Sequence, residues 1–238
     1  MATPSASRRS DRTAEKKITP LNRWDPENIV TLFAAEDESA KPLKIHKDVA
    51  CHYSPVFKAA FNSRFTEGET QTYKLEDVGQ KTVRLLIHWM YHQELDVGKT
   101  TSQTKSLTDK MLIELWVLAD KLLIPPLQNS IVQELERQRK RFKATSTSCI
   151  NYVYEKTAPG SPLRRLFVSW CAWNVARSRF EDRPEHFPKE MLLDLVQLLA
   201  QRVPTSTKEA LAKERDMKEF EVPLGEDEDE DDIMEDSD

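Results

Sequence analysis

The sequence predicts an α+β fold, in which short β-strands and a cluster of α-helices form one domain and a small helical extension follows. Between residues 42 and 77 the pattern changes from strand to two short helices and back to strand. Apolar side chains recur at helical spacing from there to about residue 141, and again in three later segments. We therefore divide the chain into a disordered N-terminal tail (1–26), a domain (27–141), a helical extension (142–203) and a helical or disordered acidic C-terminal tail (204–238).

The domain is predicted to begin with a β-hairpin. Ile29–Ala34 is rich in β-branched and aromatic residues, Glu36–Lys41 is a polar turn, and Leu43–His46 returns as a second strand. A short helix over Lys47–His52 should follow this strand without an intervening loop.

A second short helix is predicted to start at Ser54-Pro55. Serine is a good N-cap, and proline costs nothing at the first helical position because a nitrogen there has no hydrogen-bond partner. One face of this helix should be buried, since its apolar residues recur at helical spacing: Val56, Phe57, Ala60 and Phe61. Phe65–Gly68 is predicted to be an exposed loop, and Thr72–Leu75 a strand.

Three longer helices should complete the domain. The first runs from about Gln80 to Tyr91, and the second from about Leu107 to Leu123, capped by Ser106 or Thr108. The second is apolar nearly all round, so it should be the buried centre. Ile124-Pro125-Pro126 ends it, and an antiparallel partner helix begins with the apolar residues Leu127, Ile131 and Leu135.

The extension is predicted to contain three amphipathic helices joined by proline-containing loops. Thr147–Thr157 is the first, Ser161-Pro162 opens the second with another serine cap and proline, and Pro188–Arg202 is the third. Their apolar faces offer little for a separate core, so we expect them to pack on the closing helices of the domain.

Composition indicates a soluble, globular protein, because 39% of its 238 residues are hydrophobic and 32% are charged. No apolar run approaches the roughly 20 residues of a membrane span, and the N-terminus lacks the apolar core of a secretory signal. We expect a nuclear or cytoplasmic protein without membrane contact. Cys51, Cys149 and Cys171 are odd in number and widely spaced, so reduced, packed thiols are expected.

The net charge of −5 averages over segments of opposite sign. Glu226–Asp238 holds ten acidic residues and no basic one, which leaves 35 basic against 30 acidic residues elsewhere. Such a block repels itself and remains solvated. It either serves solubility alone or competes with nucleic acid for basic partners such as histones.

Five basic residues in a stretch of seven lie at the end of the domain's last helix: Arg137, Arg139, Lys140, Arg141 and Lys143. Cations at a helix C-terminus interact favourably with the helix dipole, which explains some of them. Five cations are more than the interaction with the dipole requires, so a nuclear-import signal is the alternative interpretation. Direct nucleic-acid binding is the lesser alternative, because no interleaved aromatic residues accompany the cations, which argues in particular against single-strand recognition.

No arrangement of residues predicts catalysis, a cofactor or a small-molecule substrate. The five glycines are too far apart for a phosphate-binding loop. His88 and His92 could share a helix face, but no third metal ligand is nearby in sequence. Cys51-His52 has no orienting partner. We therefore expect a non-enzymatic protein that acts through a surface.

Several motifs in the right order make residues 27–141 resemble the BTB/POZ domain, in the form found in fungal proteins. These motifs are Ile29-Val30-Thr31-Leu32, His46-Lys47, Ser54-Pro55-Val56-Phe57 with Phe61, Phe65-Thr66-Glu67-Gly68, Leu75-Glu76-Asp77-Val78, Trp89-Met90-Tyr91, Glu94-Leu95 and Leu118-Ala119-Asp120-Lys121-Leu122. The resemblance implies a protein-interaction module with His46 as a hydrogen-bonded structural residue at the core edge. The family usually has Asp where Asn28 stands, which puts charge pairing with a basic residue such as Lys47 in doubt.

The resemblance also implies a docking site for the cullin scaffold of a ubiquitin ligase. In the family, a three-residue pattern after the second short helix makes this contact: a hydrophobic residue, any residue and Glu. Phe65-Thr66-Glu67 matches this pattern in place and spacing. Alternatively, Phe65 folds back onto the core and Glu67 is only solvated.

Two further questions stay open at the level of sequence. In the rival hypothesis the protein is a nuclear scaffold or chromatin-associated regulator that binds through the basic helix end and the acidic tail. Family members often form a homodimer through an N-terminal helix and strand, but residues 1–26 contain no convincing amphipathic helix. A monomer and a dimer through another surface are both compatible with the sequence.

Overall fold

Three strands form the sheet of the computed structural model, which describes residues 25–34, 41–214, 216 and 220. The strands are β1 (Ile29–Ala34), β2 (Leu43–His46) and β3 (Thr72–Leu75), in the order β2-β1-β3. β1 pairs antiparallel with β2, which confirms the predicted pair of strands, and parallel with β3. The predicted turn Glu36–Lys41 lies outside the described residues, except for Lys41.

Six helices accompany this sheet in the described part of the domain. They are α1 (Lys47–Tyr53), α2 (Pro55–Phe61), α3 (Thr66–Thr70), α4 (Gln80–His92), α5 (Lys105–Lys121) and α6 (Pro125–Phe142). The predicted cap of α5 was wrong, because Thr104 stands at the N-cap and Thr108 lies in the first turn. The Thr108 hydroxyl donates to the Thr104 carbonyl oxygen at 3.1 Å. The helix also ends before Leu123, which adopts a left-handed conformation with φ of +55°.

Ser54 connects the short helices to the centre of the domain. Its buried hydroxyl accepts a hydrogen bond from the Phe57 N–H at 3.1 Å, which confirms the predicted cap of α2. The same hydroxyl donates to the Leu122 carbonyl oxygen at 2.8 Å, where α5 ends. Because α5 is buried on most of its surface, as predicted, this bond joins α2 to the buried centre of the domain.

The extension contains four α-helices among its described residues, and a fifth lies in the described part of the C-terminal tail. They are α7 (Ile150–Lys156), α8 (Pro162–Asn174), α9 (Arg177–Asp182) and α10 (Lys189–Arg202) in the extension, and α11 (Thr205–Lys213) in the tail. The predicted helix Thr147–Thr157 is a 3₁₀ turn over Thr147–Cys149 followed by α7. Ser161 caps α8 as predicted, accepting from the Leu163 N–H at 3.3 Å.

The buried residues of the domain and the extension form one continuous core. The Trp170 indole N–H of α8 donates to Glu136 of α6 at 2.9 Å, and the Ser146 hydroxyl donates to Asp109 of α5 at 2.6 Å. The extension therefore packs on the closing helices of the domain, as the sequence predicted.

All three cysteines are free thiols, Cys149 and Cys171 buried and Cys51 half-buried, which confirms the sequence prediction. Within the described ranges, none of the helices combines the length and the apolar character that crossing a bilayer requires.

Candidate docking surface

Phe65, Thr66 and Glu67 lie at the start of α3, just after the link from α2. The N–H groups of Gly68 and Glu69 donate to the Phe65 carbonyl oxygen at 2.9 and 3.0 Å. The prediction of a loop over Phe65–Gly68 was therefore wrong, because the backbone forms a short helical turn there. The sequence did not predict this turn, because it has no apolar periodicity. Phe65 is the N-cap residue of that turn.

Two small residues hold the turn against the end of α2. The Ser63 hydroxyl donates to the Ala60 carbonyl oxygen at 2.8 Å and accepts from the Phe65 N–H at 3.1 Å. Gly68 lies against the backbone of Ser63, where no side chain fits. The backbone before and after Phe65 is thus held in place by these contacts.

The carbonyl oxygen of Phe61 is a second anchor, where α2 ends. It accepts hydrogen bonds from the Lys47 ammonium at 2.9 Å and from the Gln71 side-chain amide at 3.1 Å. Gln71 ends α3 in a left-handed conformation with φ of +52°. The ammonium of Lys47, a candidate partner for an acidic residue at the position of Asn28, here binds a helix C-terminus, a favourable place for a cation.

Phe65 is 75% exposed, more than any other large hydrophobic side chain that the structure describes. It does not fold back onto the core. The buried rings of Phe57 and Phe61, on the preceding helix, pack against Tyr73 with ring centroids 5.1 and 6.2 Å away. Burial, with help from the nearby carboxylates of Glu67 and Glu76, raises the pKa of Tyr73. Glu67 is half-buried on this support, and Thr66 is exposed.

An exposed phenyl ring two residues from a carboxylate suits a partner with an apolar pocket and a neighbouring donor. The ring supplies buried apolar area, and the carboxylate supplies a directional, charge-assisted hydrogen bond. The sequence located this pair, but it gave no signal for the supporting contacts of Ser63 and Gly68.

Ion pairs within α6 engage three of the five residues in the basic cluster at the end of this helix. Arg137 pairs with Glu134 at 2.7 Å and Arg139 with Glu136 at 2.8 Å. Lys140 also reaches Glu136, at 3.4 Å. The bond from Arg139, above all, lowers the pKa of Glu136 to about 2. In the part of the chain described, Arg141 and Lys143 have no carboxylate partner and lie exposed.

The histidines considered as site residues contact neighbouring side chains of the fold. His46 Nδ1 lies 2.6 Å from the Tyr91 hydroxyl, which confirms its predicted hydrogen-bonded role. The rings of His88 and His92 lie side by side with centroids 4.5 Å apart. Across the described ranges, no three His, Cys, Asp or Glu side chains are grouped so that they could hold a metal ion.

Comparison with known proteins supplies the family. The chain is 29% identical over 101 residues to a BTB/POZ domain-containing protein of Arabidopsis thaliana, a match that covers 42% of this chain and 37% of that relative's length. It is also similar to the BTB domain of zebrafish PATZ1, with 18% identity and a TM-score of 0.32, over 46% of this chain and 75% of that one.

A model of the BTB/POZ family matches residues 30–139. This range covers the small sheet and the helices through most of α6, and contains the ordered motifs found in the sequence except for Ile29. Segment 30–139 of this chain is therefore a BTB/POZ domain, a type of domain that generally serves protein–protein interaction.

Proposed function

We propose that this protein is a non-enzymatic substrate adaptor of a cullin-based ubiquitin ligase. The observation that carries the proposal is the exposure of Phe65 at the start of α3, with Glu67 in the same turn. An exposed phenyl ring on a folded surface is well placed to act as an anchor in a partner's apolar pocket.

The fixed backbone around Phe65 supports this role. The Ser63 and Phe61 contacts hold the turn before any partner arrives. A preordered segment loses less conformational entropy on binding than a mobile one, so more of the contact energy is available as affinity. The substrate would then bind to the extension or to the tails.

A second candidate is a nuclear scaffold, supported by Arg141 and Lys143, the two basic residues of the cluster without ion pairs among the described residues. In this case the protein should accumulate in nuclei, and Arg141→Ala/Lys143→Ala should abolish that accumulation. Arg139 is unsuitable for this test, because its pairing with Glu136 contributes to the fold.

Affinity purification from native cell extract, followed by mass spectrometry, separates the two candidates. We expect a cullin to co-purify with the wild-type chain and to be lost with Phe65→Ala/Glu67→Ala. Leu107→Ala is the matched control, because Leu107 is also a prominent exposed apolar residue, 70% exposed, but lies at the start of α5. A cullin that is absent from all three samples, or equally present in all three, contradicts the adaptor proposal.

A further inference from the structure

Trp173 is an exposed aromatic residue in the last turn of α8. Its side chain is 57% exposed, whereas Trp170, one turn earlier, is buried. The indole of Trp173 forms part of two neighbouring clefts, one on each side. A large aromatic ring between two clefts offers apolar area to any ligand that enters them.

The first cleft lies between α8 and α10 and has a volume of about 340 Å³. Three arginines contribute to its walls: Arg164, Arg165 and Arg202. The guanidinium of Arg164 is committed to the fold, since it donates to the Tyr154 carbonyl oxygen at 2.6 Å. Arg165 donates to the Gly160 carbonyl oxygen at 3.1 Å and remains exposed.

The second cleft lies between the end of α6 and the end of α8 and has a volume of about 460 Å³. Arg139, Lys140 and Lys143 line it together with Trp173. Lys143 ends α6 in a left-handed conformation with φ of +49°.

Positive charge dominates both clefts. Six cations line the two clefts. Asp194 also lines the first cleft, where it accepts a hydrogen bond from the Tyr154 hydroxyl at 2.7 Å, and Glu136 pairs with Arg139 of the second cleft. Lys143, Arg165 and Arg202 have no carboxylate partner within the described residues. The region around Trp173 is therefore suited to an acidic ligand that also carries an apolar side chain.

We propose that the clefts on both sides of Trp173 bind the acidic C-terminal segment Glu226–Asp238 of the same chain. This segment lies outside the described residues. Its ten carboxylates complement the cationic walls, and Ile233-Met234 interrupts them with two apolar side chains. A methionine thioether packs favourably against an aromatic ring, so Met234 complements Trp173.

The path of the chain permits this contact. α11 follows α10 after two residues, and Lys208 of α11 donates to the Ala200 carbonyl oxygen at 2.8 Å. The chain thus leaves α10 beside Arg202, which lines the first cleft. Twelve residues lie between Lys213 and Glu226, and thirteen residue steps of extended chain span about 45 Å.

The contact would make the clefts an autoinhibited binding site. Acidic partners with apolar residues could then enter only by displacing the chain's own segment. The effective concentration of a tethered ligand is in the millimolar range for a short flexible link, so even weak contacts would keep the clefts occupied.

Paramagnetic broadening in the full chain tests the proposal. A nitroxide is attached to Ser237→Cys in a Cys51→Ser background, because Cys149 and Cys171 are buried. The indole N–H signals of the five tryptophans are recorded by NMR, and Trp173→Phe assigns the relevant one. We expect the Trp173 signal to lose more than half of its intensity relative to the reduced label.

Replacing the ten acidic residues by Asn or Gln in the labelled chain should restore the signal, and so should about 1 M salt, where the Debye length falls to about 3 Å. Equal Trp173 intensities with the oxidised and reduced label would overturn the proposal. So would equally strong broadening when labelled chains without ¹⁵N are mixed with unlabelled ¹⁵N chains, because the contact would then join two copies.

Discussion

Gly68 lies so close to Ser63 that a Cβ atom on residue 68 would be 2.0 Å from the Ser63 carbonyl oxygen. The obstacle is backbone, which cannot rotate aside as a flexible side chain can. This contact fixes the distance between the end of α2 and the start of α3, and with it the position of Phe65.

Gly68→Ala should therefore be destabilising. In an unconstrained helix this change is favourable by about 1 kcal/mol, but here the overpacked contact should cost about 1–3 kcal/mol of unfolding free energy. Urea unfolding followed by circular dichroism measures the difference. Glu69→Ala, at an exposed position of the same helix, is the control and should change stability by less than about 0.5 kcal/mol. Gly68→Ala with wild-type stability would show that the two backbones are not in contact.

Phe65→Ala should leave the unfolding free energy within about 0.5 kcal/mol of wild type, because the ring is exposed. Phe61→Ala, four residues earlier, should cost about 3–5 kcal/mol, since that ring is fully buried against Tyr73. The same urea titration compares the two variants. A large loss of stability in Phe65→Ala would mean that the ring packs in the core and is unavailable to a partner.

Ser54→Ala should cost about 2 kcal/mol, because it removes both the cap of α2 and the buried bond to Leu122. Ser161→Ala removes one longer, less buried cap bond from α8 and should cost about 0.5–1 kcal/mol. Equal effects of the two substitutions would argue against the bond between α2 and α5.

Glu136 should make the stability of the junction between α6 and α8 dependent on pH. Its pKa is lowered to about 2 in the folded protein, mainly by the bond from Arg139, against an ordinary value of about 4.3. A lowered carboxyl pKa stabilises the fold above the ordinary value, and this contribution is lost as pH falls toward 2.

Glu136→Gln should thus cost about 1 kcal/mol at pH 7, a modest figure because the side chain is partly exposed to solvent. The difference from wild type should shrink steadily as urea titrations are repeated from pH 4.5 downwards. A difference that is constant from pH 7 to pH 3 would contradict the assignment.

The three thiols should react at very different rates in the native protein. Burial raises the pKa of Cys149 to about 11 and that of Cys171 to about 12, while Cys51 is only half-buried. At pH 8, labelling with a thiol reagent should modify Cys51 first and leave the other two until the chain unfolds. Rapid labelling of Cys171 without denaturant would mean that α8 opens independently of the domain.

Local signals made much of the fold predictable. The two Ser-Pro pairs located the starts of α2 and α8, because capping depends on a few adjacent residues. The parallel pairing of β1 with β3 had no comparable signal, since it joins strands about 40 residues apart. α9 was missed because its six residues, Arg177–Asp182, are mostly polar and show no apolar periodicity.

The candidate surface was predictable in position but not in geometry. Phe65 and Glu67 were found from a motif that follows the second short helix, while the exposure of Phe65 depends on how the folded chain packs around it. The exposure of Trp173 likewise depends on the packing of α8, which buries Trp170 three residues earlier and leaves Trp173 exposed.

The affinity of the purified 238-residue chain for a purified cullin tests the central claim most directly. Calorimetric titration should show binding by the wild type, and at least about tenfold weaker binding by Phe65→Ala/Glu67→Ala, the loss expected for an anchor residue. Leu107→Ala should bind within about twofold of wild type. A folded Phe65→Ala/Glu67→Ala variant that binds as tightly as wild type would contradict the proposed docking site.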